Sequence, residues 1–382
     1  MTNRFLLNLI SATLKKEAPL YEEYDEVELF KLACTQQVHL LAYPALTRLE
    51  EAQKPSAELM EKWKTLFTLT SFNFANFFNF INHIVEKLEE NHIHAVMLKG
   101  SVYRELYPSA ELRTMGDVDI MMNPEDMDVL GDILTKFGYE FEGCHHTGEF
   151  DRKYHAKGKP CIEVFGSLEE DFQDHYTDKY EKDLVAYKEC KYVKKLNVLP
   201  SIVHHVAHFA KHFYNHGAGC RFIADLYVLL TKLEFDFEEL VREIKDIGCY
   251  KFFLTNVEIL KKYFGYTPPI ELETIPEDVV ENFLDYILRY GIYGDLESSA
   301  VMKKEMRKKG GKFRLIAKTV FPKPSVIKAK YDFFARHPVL LPIGWFRYIF
   351  AILAHPKRVM KNLSYITTNS SSDTKLYESL KD

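Results

Sequence analysis

Two aspartates one residue apart, in Asp117-Val118-Asp119-Ile120-Met121-Met122, are the part of the sequence best suited to chemistry. Acidic and apolar residues alternating in this way predict a strand, on which side chains two apart share a face. Both carboxylates then point one way while Val118 and Ile120 turn into a core. Like charges this close repel and raise each other's pKa unless a cation lies between them. The pair therefore suits a hard divalent ion, Mg²⁺ or Mn²⁺, held through oxygen, with substrate phosphates completing its shell. The plainer alternative is an exposed strand face or a loop carrying two solvated aspartates.

A third acid, Glu163 in Cys161-Ile162-Glu163-Val164-Phe165, sits between apolar neighbours on another predicted strand. Beside the first strand it would complete three converging carboxylates. Such a set holds two metals about 3.5–4 Å apart for in-line phosphoryl displacement. Taken singly, Glu163 reads equally as an outward-facing strand residue. Upstream, an apolar run over 94–98 ends at Lys99-Gly100-Ser101, where a helix is expected to start. Free N–H groups at a helix start, a glycine permitting close approach and the Lys99 charge together suit a phosphate. The order of residues is not that of a Walker A loop, and Ser101 also fits the role of a simple helix cap. Arg113 fits two roles as well, a bidentate clamp on a triphosphate or a salt bridge that pins the loop before Asp117.

These residues need elements to position them. Apolar spacing of three and four predicts helices over 26–50 and 57–91, in an N-terminal region of helices extending to residue 92. Leu66, Phe67, Phe72, Phe74, Phe77 and Phe78 form a stripe that reads as core. Strands are expected over 117–122, 139–142, 149–155 and 161–165, with a helix over 124–137 bracketed by Pro124 and Gly138. Helices return over 201–216, 220–233, 236–247, 250–264 and 276–290. The polar tail from Thr367 through Ser370-Ser-Ser-Asp373 is expected to be loose at its end.

The order Lys99-Gly100-Ser101, Arg113, Gly116-Asp117-x-Asp119 and a later strand acid resembles the polymerase-β-type nucleotidyltransferase superfamily. Within it the sequence is similar to a bacterial family described as uncharacterised nucleotidyltransferases. The likeness runs through Met97-Leu-Lys-Gly100, the short helix from Tyr103 to Tyr107, Arg113 to Asp119, Pro124-Glu-Asp126 and Gly138-Tyr139. It spans roughly residues 25 to 250 and includes a His-rich helix followed by Arg221 and Asp225. The resemblance implies an α+β fold, a small mixed-sheet core over 93–195 flanked by helical domains over 1–92 and 196–300. It implies metal-dependent transfer of a nucleoside monophosphate from an NTP, with pyrophosphate leaving. Asp117 and Asp119 would bind the metal, Glu163 would ligate it or activate the acceptor, and Gly100 and Ser101 would hold the triphosphate. A small molecule, a sugar phosphate, RNA or a protein all fit as acceptor.

Three features lie outside that motif. His204, His205, His208, His212 and His216 share one predicted helix, and His204 and His208 fall on one face. Substrate contact or a structural role suits them better than zinc, since four-residue steps drift around a helix of 3.6 residues per turn. The overall charge is −5, yet 303–361 carries 16 Lys/Arg against Glu305 and Asp332. With interleaved aromatics, this stretch, within the segment 301–382, suits RNA, an anionic membrane surface, or a helical cap with solvated lysines. Lastly, Cys34, Cys144, Cys161, Cys190, Cys220 and Cys249 form no C-x-x-C pair, and neither a secretory signal nor a transmembrane helix is evident. A cytoplasmic protein is expected. With 47% hydrophobic and 27% charged residues, disorder and fibrous classes are excluded.

Overall fold

The computed structural model describes residues 2–143, 152–168, 179, 180, 182–215, 217–291, 340–353, 372–380 and 382. Four helices come first, α1 (Thr2–Lys15), α2 (Glu26–Thr35), α3 (His39–Leu46) and α4 (Ala57–Glu90). The core continues as β1 (Ala95–Met97), α5 (Gly100–Tyr103), β2 (Asp117–Met122), α6 (Met127–Lys136), β3 (Glu140–Gly143), β4 (Arg152–His155), β5 (Cys161–Phe165), β6 (Leu184–Ala186) and β7 (Val193–Leu196). Helices α7 (Val198–Asn215), α8 (Cys220–Lys232), α9 (Phe237–Asp246), α10 (Tyr250–Phe264) and α11 (Glu277–Tyr290) follow, with α12 (Leu341–Leu353) and α13 (Ser372–Ser379) beyond.

The seven strands form one mixed sheet in the order β3-β4-β5-β2-β1-β7-β6. The pairs β2–β5 and β1–β7 are parallel; the others are antiparallel. Alternation gives the central strands two different faces. Val118, Ile120, Ile162 and Val164 pack with Phe77, Phe78, Ile81, Ile84, Val85 and Leu88 of α4 in one buried cluster. The acidic residues take the other face. Helix α4 is 34 residues long, and its first half sends Leu59 and Trp63 into a second, larger cluster. That cluster joins α1 to α3 with α7 to α11, so the N-terminal and C-terminal helices share a core.

Local chemistry sets several boundaries. Asp25 accepts from the Glu28 N–H and Asp236 from the Glu239 N–H, capping α2 and α9. Gly265, at φ 60°, closes α10 in the left-handed conformation that glycine adopts freely. The helix expected over 26–50 is instead split between α2 and α3, where Gln37 takes φ 53°. The reason lies next door. Buried Gln36 donates to the Ile287 and Leu288 carbonyls at 2.9 Å each and accepts from the Cys220 N–H, so the chain must turn to satisfy these groups.

Of the tail expected to be loose, 367–371 lies outside the described residues, and the chain beyond it is packed. Leu376, Tyr377 and Leu380 are buried, the Tyr377 hydroxyl donates to that of Tyr286 at 2.7 Å, and Asp382 accepts from the Tyr250 and Lys251 N–H groups at the start of α10. Apolar residues spaced along one helical face outweigh the polar composition here. Within the aromatic stripe Phe77 and Phe78 are buried, whereas Phe72 is exposed. Most of 301–361, along with Cys144 and His216, lies outside the described residues. The other five cysteines are free, and no helix among the described residues is long and apolar enough to cross a membrane.

Candidate active site

The parallel register of β2 and β5 sets Asp117 opposite Cys161 and Asp119 opposite Glu163. Three carboxylates thus gather on the polar face of two adjacent strands. Asp119 is only 5% exposed, while Asp117 and Glu163 are half-buried. Burial pushes the Asp119 carboxyl up to about 7; the Lys99 ammonium opposes this, and Asp117 and Glu163 add to it. Lys99 Nζ lies 2.9 Å from Asp119 Oδ1, and Lys153 Nζ on β4 lies 2.9 Å from Glu163 Oε1. Lys153 pairs across the antiparallel β4–β5 register with Glu163. Sequence reading passed over this lysine, although cross-strand pairing of opposite charges is an ordinary signal.

The turn between β1 and α5 departs from the phosphate cradle expected of it. Its left-handed residue is Lys99, at φ 47° and ψ −119°, not Gly100. A side chain in that region costs about 1–3 kcal/mol and persists only where surroundings enforce it. Gly100 is needed for a different reason. A Cβ there would collide with Arg113 Nη1 and approach Met115 Cε to 3.0 Å. The space that glycine leaves is therefore filled by a guanidinium. Ser101 is fully buried, and its Oγ finds no hydrogen-bond partner among the described residues. As folded, Lys99 faces the carboxylates while Gly100 and Ser101 are closed off.

Of the two roles open to Arg113, the geometry supports the structural one. Its Nε and Nη2 lie 2.9 and 2.8 Å from the two oxygens of Asp225 on α8, and its Nη1 donates to Thr114 O at 3.3 Å. The fork that would have gripped a triphosphate is thereby occupied. Burial opposes the Arg113 charge, yet the Asp225 carboxylate beside it holds the guanidinium above its ordinary value. For Asp225, burial acts upward, and Arg113, with further bonds, brings it below the usual carboxylate range. The Tyr107 hydroxyl completes the group by donating to Asp225 Oδ1 at 2.6 Å.

A second guanidinium meets the same loop. Arg221 Nη1, in the first turn of α8, donates to Thr114 O at 3.0 Å and to Gln37 Oε1 at 3.2 Å, and Thr114 Oγ1 donates to Gln37 O at 2.7 Å. Gln37 was not singled out by the sequence; Thr114 and Tyr107 lay inside the family motif, and Arg221 and Asp225 beyond it, all without a role. The four-residue spacing of Arg221 and Asp225, which places them on one helical face, was the available signal.

Helix α7 brings His204 and His208 together, with ring centroids 6.0 Å apart, and His212 lies 4.4 Å beyond His208. Burial lowers His208 well below the ordinary imidazole value, and the Lys99 ammonium acts in the same direction. His205 turns elsewhere: Nε2 is 3.0 Å from Phe222 O, and burial lowers the ring to about 4. Burial thus favours the neutral imidazole in both.

Could the acids hold a divalent ion? Among the described residues no three His, Cys, Asp or Glu side chains are drawn together tightly enough to do so as they stand. Asp119 and Glu163 are each turned to a lysine. The donor set nevertheless suits a hard ion, being three carboxylates on one face, one of them deeply buried and crowded by the others. Four acids, Asp117, Asp119, Glu163 and Asp225, stand with four bases, Lys99, Lys153, Arg113 and Arg221, in balance when every acid is ionised. A divalent ion would tip that balance positive and call for an anionic substrate.

Comparison with curated proteins returns no match. Among solved structures, one titled as the solution structure of the antibiotic-resistance factor ANT(2'')-Ia is similar at 12% identity, covering 50% of this chain and 97% of that one with a TM-score of 0.33. So distant a likeness bears on no residue of the site. A family model described as "Uncharacterised nucleotidyltransferase" matches residues 22–265, a span that takes in both acidic strands and the Arg221–Asp225 helix. The chain belongs to that nucleotidyltransferase family.

Proposed function

We propose that the protein transfers a nucleoside monophosphate from an NTP to an acceptor hydroxyl or phosphate, with Mg²⁺ or Mn²⁺ as cofactor. The acceptor oxygen bonds to the α-phosphorus, the bond to the β-phosphate oxygen breaks, and pyrophosphate departs. The observation that carries this reading is the pairing of Asp119 with Glu163, with Asp117 two residues away on the same face. Asp117 and Asp119 would hold the ion, which supplies charge neutralisation at the phosphates. Glu163 would join them or take the acceptor's proton, and Lys99 adds positive charge beside Asp119. His204 and His208, on the Lys99 side, would meet the acceptor. Free thiols agree with a cytoplasmic setting, which cell fractionation checks.

The test incubates the protein with each α-labelled NTP, a divalent ion and cell extract. Label should move to an extract component, and Asp117→Asn should lower that transfer by ~10²–10³-fold, as losing several kcal/mol of charge stabilisation implies. Undiminished transfer by the variant removes Asp117 from the role. A second reading, nucleotide binding without transfer, draws on the lysines that already occupy Asp119 and Glu163. Calorimetry showing tight metal-dependent NTP binding, with no label moved, would favour it. Peripheral contact of 301–361 with an anionic membrane is also retained, because α12 leaves Ile343 57% and Phe346 66% exposed. Failure to sediment with anionic vesicles would dismiss that contact.

A further inference from the structure

The nucleotidyl-transfer reading needs a group to hold the triphosphate, and the residues first expected to do so are engaged or closed off. Arg113 has spent its fork on Asp225, Gly100 accommodates Arg113, and Ser101 is fully buried. Arg221 is differently placed. It is half-buried, and only its Nη1 is hydrogen-bonded, to Thr114 O and Gln37 Oε1. Nε and Nη2 bond to no described residue, and no described carboxylate lies within ion-pair distance. Both bonds that hold Nη1 go to neutral oxygens, so they aim the guanidinium without matching its charge. Burial and the neighbouring Arg113 oppose its charge, while the fields of Asp225 and then Asp117, neither of which it hydrogen-bonds, support it.

A cation withdrawn from water with no ion-pair partner is costly unless a ligand completes it. Here the guanidinium is also held in a fixed orientation, which saves much of the ordering cost of binding. A guanidinium with Nε and Nη2 available presents two parallel donors, matching two oxygens of a phosphate. Its position in the first turn of α8, a 13-residue helix, adds the positive end of the helix dipole. The competing choice, Lys99, faces Asp119 and is a point charge without that fork.

We propose that Arg221 is the phosphate-binding residue of the site, gripping the polyphosphate of the nucleotide beside Asp117, with Arg113 acting only to hold the loop between them. The proposal takes the identity of its ligand from the transfer reading, but the anion site itself rests on the Arg221 geometry. Thr114 O, shared by the two guanidiniums, fixes the spacing: one arginine closes the loop and its neighbour faces the substrate.

The experiment titrates the full chain with inorganic tripolyphosphate and with each NTP in the presence of Mg²⁺, by calorimetry. Arg221→Gln should weaken tripolyphosphate and NTP binding by ~10–100-fold, the effect of losing one or two charged hydrogen bonds. Arg221→Lys, which keeps charge but loses the fork, should fall between, and Lys62→Gln on exposed α4 should change nothing. In the transfer assay Arg221→Lys should raise KM for NTP more than it lowers kcat. Should the Gln variant fail to fold, the Lys variant carries the test through that KM. Tripolyphosphate binding within twofold of wild type in a folded Arg221→Gln, an unchanged KM in Arg221→Lys, or no binding by wild type would each overturn the proposal. If wild type binds tripolyphosphate through Arg221 but moves no label, the anion site stands and the transfer reading falls. Transfer with an unaltered KM in the variants gives the reverse.

Discussion

Asp119 and Asp225 are buried almost equally, at 5% and 2% exposure, and each faces a cation at 2.8–2.9 Å, yet their acidities move in opposite directions. Asp225 meets a planar fork and a tyrosine hydroxyl, so its charge is shared among several short bonds. Asp119 meets one ammonium while Asp117 and Glu163 push against it. Burial alone therefore does not decide what a carboxylate is for; the completeness of its partners does. A satisfied acid holds the fold together, and a crowded one is a candidate for chemistry.

Breaking the satisfied pair gives the largest expected effect. Arg113→Ala or Asp225→Ala should cost about 3–5 kcal/mol, because each strands a buried charge. Denaturant unfolding measures it, and a loss below about 1 kcal/mol would mean that water already compensates the pair. Next comes the space beneath the turn. Gly100→Ala forces a Cβ against Arg113 Nη1, and overpacking of this kind costs about 1–3 kcal/mol. The same variant should become milder once Arg113 is shortened, a coupling that a double-mutant cycle reads.

The smallest effect sharpens the contrast through pH. The folded protein holds the Asp119 proton more tightly than the unfolded chain, so this carboxyl favours folding at low pH. Its contribution declines as pH rises from about 4 towards 7. Asp225, with its value lowered, works oppositely: it stabilises above the unfolded carboxylate pKa and that gain is lost as acid is added. Asp119→Asn should thus flatten the neutral side of a melting-temperature profile. Asp225→Asn should flatten the acid side. Identical profiles for the two variants would erase the distinction drawn between them.

The alternation Asp117-Val-Asp119-Ile made one strand and its polar face legible, and Glu163 between Ile162 and Val164 did the same for the second. Their neighbourly register came from the three-dimensional structure, because parallel pairing of residues 44 positions apart leaves no local mark. The helices from α7 to α11 were legible for the opposite reason, since their apolar spacing is local and strong. Short β6 and β7 escaped notice: three or four residues, with two lysines in Val193-Lys-Lys-Leu196, carry too little pattern. The Arg113–Asp225 bond joins positions 112 apart, so the choice between Arg113's two roles had to await the fold. The break at Gln37 was hidden likewise, its cause lying in carbonyls near residue 287.

The oxygen of Thr114 has one more consequence, for anyone building hybrids from relatives of this protein. Because two arginines from distant parts of the chain converge on that single atom, the stretches around 37, 113–117 and 221–225 form one structural unit. A graft that exchanges one stretch without its companions would misalign the acidic strand even if every transplanted side chain were individually suitable.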